Sequence, residues 1–230
     1  MYNFICVTNE KELQNLCCKL EGCESFALDT ETTGFDPISC ECIGISVCIE
    51  EGEAYYIPFR HKITGEQLTK EQVIKYFKPI FENEKIGKYL HNALFDMKFL
   101  YAMGIDLQGL AFDSLIAARC VATRKRRNGL KDLSEEYFNE TMIDFKEAVF
   151  GNGYRNFSEV PLDLATEYAA SDAHQTFKLV RVLKEELAEK NMQNFYYKEK
   201  LPPVEIAYKN KKKEIKRKRD NIKDIFSLEL

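Results

Sequence analysis

The stretch FALDTETTGFDP, residues Phe26–Pro37, reads as an apolar strand that ends in two carboxylates, Asp29 and Glu31, before a Gly- and Pro-marked turn. Side chains alternate along a strand, so positions two apart share a face. Asp29 and Glu31 therefore stand side by side at the end of a buried strand. Like charges held that close raise each other's pKa unless a cation lies between them. The stretch itself contains no Lys or Arg to supply one.

Outward from this stretch, Ser25–Thr30, Cys42–Ile49 and Glu53–Phe59 have the composition of strands. The EEGE turn makes the last two an antiparallel hairpin, with the first strand as its neighbour. Glu66–Asn83 has helical spacing, Lys85–Leu90 is a short strand, and Asn92–Met103 is a helix closed by Gly104. A strand at Leu110–Phe112 leads into a helix from Asp113, Leu130–Phe138 is helical, and a long amphipathic helix runs from Pro161 to about Lys190. Strands come early and helices late, which predicts a mixed sheet flanked by helices. The composition changes after Leu201-Pro202-Pro203, which sets a boundary between a main domain, 1–200, and a basic helical tail, 201–230.

With 230 residues, 45% of them hydrophobic, the chain can bury a core. It has no apolar run long enough for a bilayer and no secretory leader pattern, so a cytoplasmic protein without a membrane partner is expected. Eight cysteines without a CxxC pair read as reduced thiols used as small apolar residues. Charge is segregated. KNKKKEIKRKR (Lys209–Arg219) has eight Lys/Arg against one Glu, a net +7 in a chain of net −4, leaving −11 elsewhere. Within that acidic body one further basic cluster, Arg124-Lys125-Arg126-Arg127, precedes Asn128-Gly129 and reads as a loop.

Two later stretches extend the acid pattern. In YLHNALFDMKFL the polar Asn92 and Asp96 are four apart in an apolar helix and share a face; in EYAASDAHQTF the pair Tyr168 and Asp172 has the same spacing. Four carboxylates, Asp29, Glu31, Asp96 and Asp172, thus lie in apolar surroundings. Buried acids are costly unless paired or bound to a metal, and divalent cations that favour oxygen ligands are their natural partners.

The motifs DTETTGFDP, HNALFD and YAASD, in this order, with CIGISVCIEEGEAYYIP, FDS and NGLKDLSEEYF around them, resemble the 3′–5′ exonuclease domain of family A DNA polymerases, within the four-carboxylate exonucleases that include ribonuclease D. The resemblance spans roughly Phe4–Lys190, and Tyr-x-x-x-Asp in the third motif marks the tyrosine branch. It implies an α/β fold, a ribonuclease H-like mixed β-sheet flanked by helices, and a hydrolase that shortens DNA from the 3′ end to 5′-mononucleotides. It further implies that Asp29, Glu31 and Asp172 ligate one Mg²⁺, which activates water, while Asp29 and Asp96 hold a second, about 4 Å away, beside the leaving 3′ oxygen; Mn²⁺ would substitute. Tyr168 would orient the water, Asn92 would lie beside the 3′-terminal nucleotide, and Phe35 would stack against the terminal base. Arg124, Arg126 and Arg127 are expected to guide single-stranded DNA or a frayed 3′ end towards the acids.

The segment EKLPPVEIAYKNKKKEI resembles the start of a polymerase thumb, with Glu214 where the family has Gly. Thumb, fingers and palm need several hundred further residues, so no DNA synthesis is expected, and a separate polymerase is an expected partner. Two other readings use the same residues. One is a ribonuclease D-like exoribonuclease; the other is a non-catalytic nucleic-acid-binding module, against which stand the four retained acids and Tyr168.

Overall fold

The computed structural model describes residues 2–62, 65–122 and 127–227. Its six strands are β1 (Asn3–Cys6), β2 (Ser25–Thr32), β3 (Cys42–Glu50), β4 (Glu53–Pro58), β5 (Gly87–Leu90) and β6 (Leu110–Asp113). They form one sheet in the order β1-β4-β3-β2-β5-β6. β2, β3 and β4 are successive antiparallel neighbours, whereas β5 runs parallel to β2, β6 to β5 and β1 to β4. The helices are α1 (Glu10–Glu21), α2 (Lys70–Phe81), α3 (Ala93–Met103), α4 (Ser114–Val121), α5 (Leu130–Phe138), α6 (Leu162–Glu189), α7 (Gln193–Phe195) and α8 (Pro202–Ser227). This is the α/β, mixed-sheet architecture expected from the sequence. The eight cysteines are free thiols.

The period of two along β2 assigns its residues to opposite layers. Phe26 and Leu28 join the large core formed with α1, α2 and α3. Ala27, one step out of phase, packs with Cys48, Ala54 and the helix residues Ala170 and Ala173. Alanines at this contact leave no bulk between backbone and sheet, so α6 lies close against β2 and β3. Asp29 and Glu31 continue the Ala27 face and so meet α6, while Thr30 points towards α3.

The start of α6 is fixed by a buried polar chain. The Tyr56 hydroxyl and His61 Nε2 are 2.7 Å apart, and His61 Nδ1 lies 3.1 Å from the carbonyl oxygen of Val160, two residues before the helix begins. Gly44, opposite Glu31 in the β2–β3 register, makes room for that tyrosine: a Cβ there would lie 2.1 Å from the Tyr56 hydroxyl.

Three features depart from the sequence reading. β1 and α1 lie outside the elements it assigned, although Leu13, Leu16, Cys17 and Leu20 make a regular buried stripe and Asn9 caps the helix by accepting from Glu12 N. α2 begins at Lys70, not Glu66, because Thr69 and Gln72 form a reciprocal capping box. Asn92 is not a helical position. It precedes α3 as the N-cap residue, in the left-handed region at φ 69°. The basic segment is helical, as expected, and α8 is seated on the domain. Val204, Tyr208 and Ile215 are buried, the Tyr208 hydroxyl donates to Asp106 Oδ1 at 2.9 Å, and Lys212 Nζ pairs with Asp106 at 2.8 Å.

Candidate active site

Asp29 and Glu31 from β2 and Asp172 from α6 meet where that face of the strand passes under the helix. One carboxylate oxygen from each lies within 4.8 Å of the other two. Asp96 lies outside this group of three and approaches from the opposite layer. Its Oδ1 accepts from the Thr30 backbone N–H at 3.0 Å and from the Thr30 hydroxyl at 2.6 Å. Thr30, the residue between Asp29 and Glu31, is thus the link that ties the fourth acid to the first two.

The carboxyls repel one another in surroundings that solvate them poorly. Burial pushes Asp29 and Glu31 well above the ordinary carboxylate range; the charge of Asp96, then of Glu31 and Asp172, adds to this at Asp29, and that of Asp172 at Glu31. Burial raises Asp96 to about 7 against the opposing Thr30 hydrogen bonds, and raises Asp172 to about 6. Glu31 Oε1 and Asp172 Oδ1 are buried and accept no hydrogen bond among the described residues. Orphaned carboxylate oxygens within such a cluster are a donor set that fits a hard divalent cation. Asp29, Glu31 and Asp172 could hold one, and Asp96 stands beside Asp29 to share another.

Tyr168, one turn before Asp172 on α6, is buried among Phe145 and Phe157. Burial, then the charges of Asp172 and Glu31, push its hydroxyl further above the ordinary tyrosine range, so it remains a neutral hydrogen-bond donor. Lys131 of α5 places its Nζ 4.2 Å from the Tyr168 ring centroid and donates to the Ile143 carbonyl. The cation absent from the sequence around Asp29 therefore comes from 102 positions away.

The α3 turn is held by Asp113, the aspartate of the FDS stretch. Its Oδ2 accepts from Ala93 N at 2.8 Å and its Oδ1 from Ile116 N at 3.1 Å, so one carboxylate caps both α3 and α4. It also accepts from Asn92 N at 3.3 Å, which holds Asn92 in its left-handed conformation with an exposed side chain four residues ahead of Asp96.

A cavity of about 500 Å³ opens over Asp29, Glu31, Tyr168 and Asp172. Phe35 stands on its rim, 87% exposed, with its ring edge-on to Phe95 at 6.3 Å. A core role for Phe35 is excluded by that exposure. Phe145, Phe150, Arg155 and Asn156 complete the wall. The sequence reading missed these four, although FKEAVFGNGYRNF alternates aromatic, basic and Gly/Asn residues in a manner suited to a nucleic-acid surface. Phe145 precedes, and Phe150 lies within, a single wide helical turn, Lys146–Gly151, of the π type common at functional sites. Of the basic loop, Arg124 and Arg126 lie outside the described residues. Arg127 is exposed, 3.9 Å from Asp132, and does not line this cavity.

Residues 4–188 match the family model described as 3′–5′ exonuclease. DNA polymerase I of Chloroflexus aurantiacus is 36% identical over 204 residues, which cover 87% of this chain and 21% of that protein. The chain thus spans about a fifth of the length of that relative. Two solved structures share the fold at lower identity. NrnC of Brucella melitensis has a TM-score of 0.63 at 20% identity and covers 94% of this chain and 93% of its own. RNase D of Trypanosoma brucei has a TM-score of 0.63 at 19%, covering 79% and 64%.

Proposed function

Because the chain belongs to the 3′–5′ exonuclease family found in DNA polymerase I, we propose that it hydrolyses DNA from the 3′ end, one 5′-mononucleotide at a time, on single strands and frayed ends. The observation that carries this reading is the meeting of Asp29, Glu31 and Asp172 within 4.8 Å, with two orphaned oxygens, under an aromatic-walled cavity. Mg²⁺ or Mn²⁺ in such a site would supply a nucleophile at neutral pH and positive charge for the leaving oxygen. Asp29, Glu31 and Asp172 would hold one ion, and Asp29 with Asp96, steadied by Thr30, would hold a second. The neutral Tyr168 hydroxyl donates a hydrogen bond that orients the attacking water. Phe35 and Phe150 present ring faces for the terminal base, and Asn92 and the Arg124–Arg127 loop receive the strand.

The 36% identical relative is a DNA polymerase, whereas the likeness to RNase D is one of fold, which favours DNA over RNA. A polymerase, in the same protein or separate, is the natural partner, with 1–200 as the nuclease unit, 201–230 as its basic extension and the cytoplasm as its setting. Among the described residues no helix is long and apolar enough to cross a membrane. The test is digestion of matched 5′-labelled DNA and RNA oligonucleotides with Mg²⁺, with and without chelator. A ladder from the DNA 3′ end that vanishes with chelator is expected. Faster cleavage of RNA would establish the ribonuclease D-like reading, and binding without cleavage the non-catalytic one.

A further inference from the structure

We infer that Lys131 is a positioning residue and the resident counter-charge of this site, holding Tyr168 over the carboxylates and weakening the hold of the acids on metal. This rests on the reading of Asp29, Glu31 and Asp172 as a divalent-metal centre.

Lys131 sits in the first turn of α5, on neither element that supplies the three clustered acids. Its side chain is half-buried, and its ammonium is anchored twice: it donates to the Ile143 carbonyl and lies 4.2 Å from the centre of the Tyr168 ring. A cation against an aromatic face is attracted by the ring quadrupole, more strongly as water is excluded. The lysine thereby ties three segments together, α5, the chain at Ile143 and the second turn of α6. Tyr168 is packed on other sides by Phe145 and Phe157.

The same ammonium acts on the acids through space. Its charge reaches Asp29, Glu31 and Asp172, because Tyr168, over whose ring it is anchored, lies one turn before Asp172 and lines the same cavity as the three acids. A fixed positive charge beside the ligand set repels an incoming divalent ion. A merely structural lysine would predict no such opposition between metal affinity and rate.

The test compares wild type with K131Q, which keeps a donor for the Ile143 carbonyl but no charge, and K131R, which keeps the charge. Free Mn²⁺ is measured by electron paramagnetic resonance at pH 8, and kcat and KM on a single-stranded oligonucleotide. K131Q is expected to bind Mn²⁺ about tenfold more tightly, since a nearby cation has been removed. Its kcat should fall about tenfold, less than the 10²-fold or more expected on losing the orienting hydroxyl itself, with KM changed less than about twofold. K131R should restore both values. K131M, which keeps the methylene stem over Tyr168, carries the same expectations if K131Q melts below the assay temperature. The inference is overturned if a folded, uncharged variant binds Mn²⁺ no more tightly, if its loss is in KM alone, or if K131R fails to restore the rate. Wild type that binds no Mn²⁺ would instead overturn the metal-centre reading itself.

Discussion

Asp96 offers a direct measure of the energy held in the carboxylate cluster. It is 2% exposed, and burial raises its carboxyl from 3.8 to about 7 despite two hydrogen bonds from Thr30. A displacement of about three pKa units, at 1.36 kcal/mol each, gives an upper bound of about 4 kcal/mol. Because the folded-state pKa lies above the unfolded one, the native state holds this proton more tightly. The penalty is nearly absent at pH 4 and is fully developed above pH 7, so the metal-free protein loses stability as pH rises through that window. Asp96→Asn removes the charge and keeps an oxygen for the Thr30 donors. If accommodating the new amide costs half of the bound, about 2 kcal/mol remains, or roughly 4–8 °C in Tm for a chain of this size. Thermal melts in excess chelator should show that gain at pH 8 and a net loss of about 1 kcal/mol at pH 4.5, where only about a quarter of the penalty has developed against the same accommodation cost. Millimolar Mg²⁺ should reverse the order, because wild type gains metal-binding free energy that the variant forgoes. A variant that melts below wild type in chelator at pH 8, or that gains equally at both pH values, would refute the reasoning.

Two further substitutions test the assigned roles. Tyr168→Phe removes only a hydroxyl, so Mn²⁺ affinity should hold while kcat falls about 10²-fold or more; an equal loss in Mn²⁺ affinity would show that the tyrosine supports the ligands instead. Phe35→Ala removes an exposed ring, so it should leave Tm within about 1 °C and weaken oligonucleotide binding by about 1–3 kcal/mol, the range for stacking of one base; unchanged binding in a fluorescence anisotropy titration would remove Phe35 from the substrate path.

The parts of the fold and site that were legible in the sequence are those encoded within a few residues. Period-two alternation placed Asp29 and Glu31 on one face of a strand, and spacing of four set Tyr168 beside Asp172 on a helix; neither needs information from elsewhere in the chain. The parts that were not legible depend on contacts across the fold. Nothing local to GLKDL says that Lys131 reaches a ring on α6, or that Ile143 will anchor it. Asn92 was misread because HNALFD has the composition of a helix, while the decisive influence, the carboxylate of Asp113, lies 21 positions downstream. α1 was missed for a different reason: its two cysteines and five charged residues hide a regular stripe of buried positions behind a polar composition.

The layering of the sheet explains how four acids in poorly solvating surroundings can be held so close. Asp29, Glu31 and Asp172 occupy the α6 side of β2, and Asp96 approaches from the α3 side, where the Thr30 backbone N–H and hydroxyl both donate to it and favour its ionised form. Moving α6 away would relieve the strain on the α6 side, but that motion is opposed by the alanine contacts with Ala27, Cys48 and Ala54 and by the Tyr56–His61–Val160 chain at the start of the helix. Small residues are what allow this: enlarging Ala170 or Ala173 would lift Asp172 from its partners without touching a carboxylate. Loss of activity from such a change would therefore report on the spacing of the acids and not on their number.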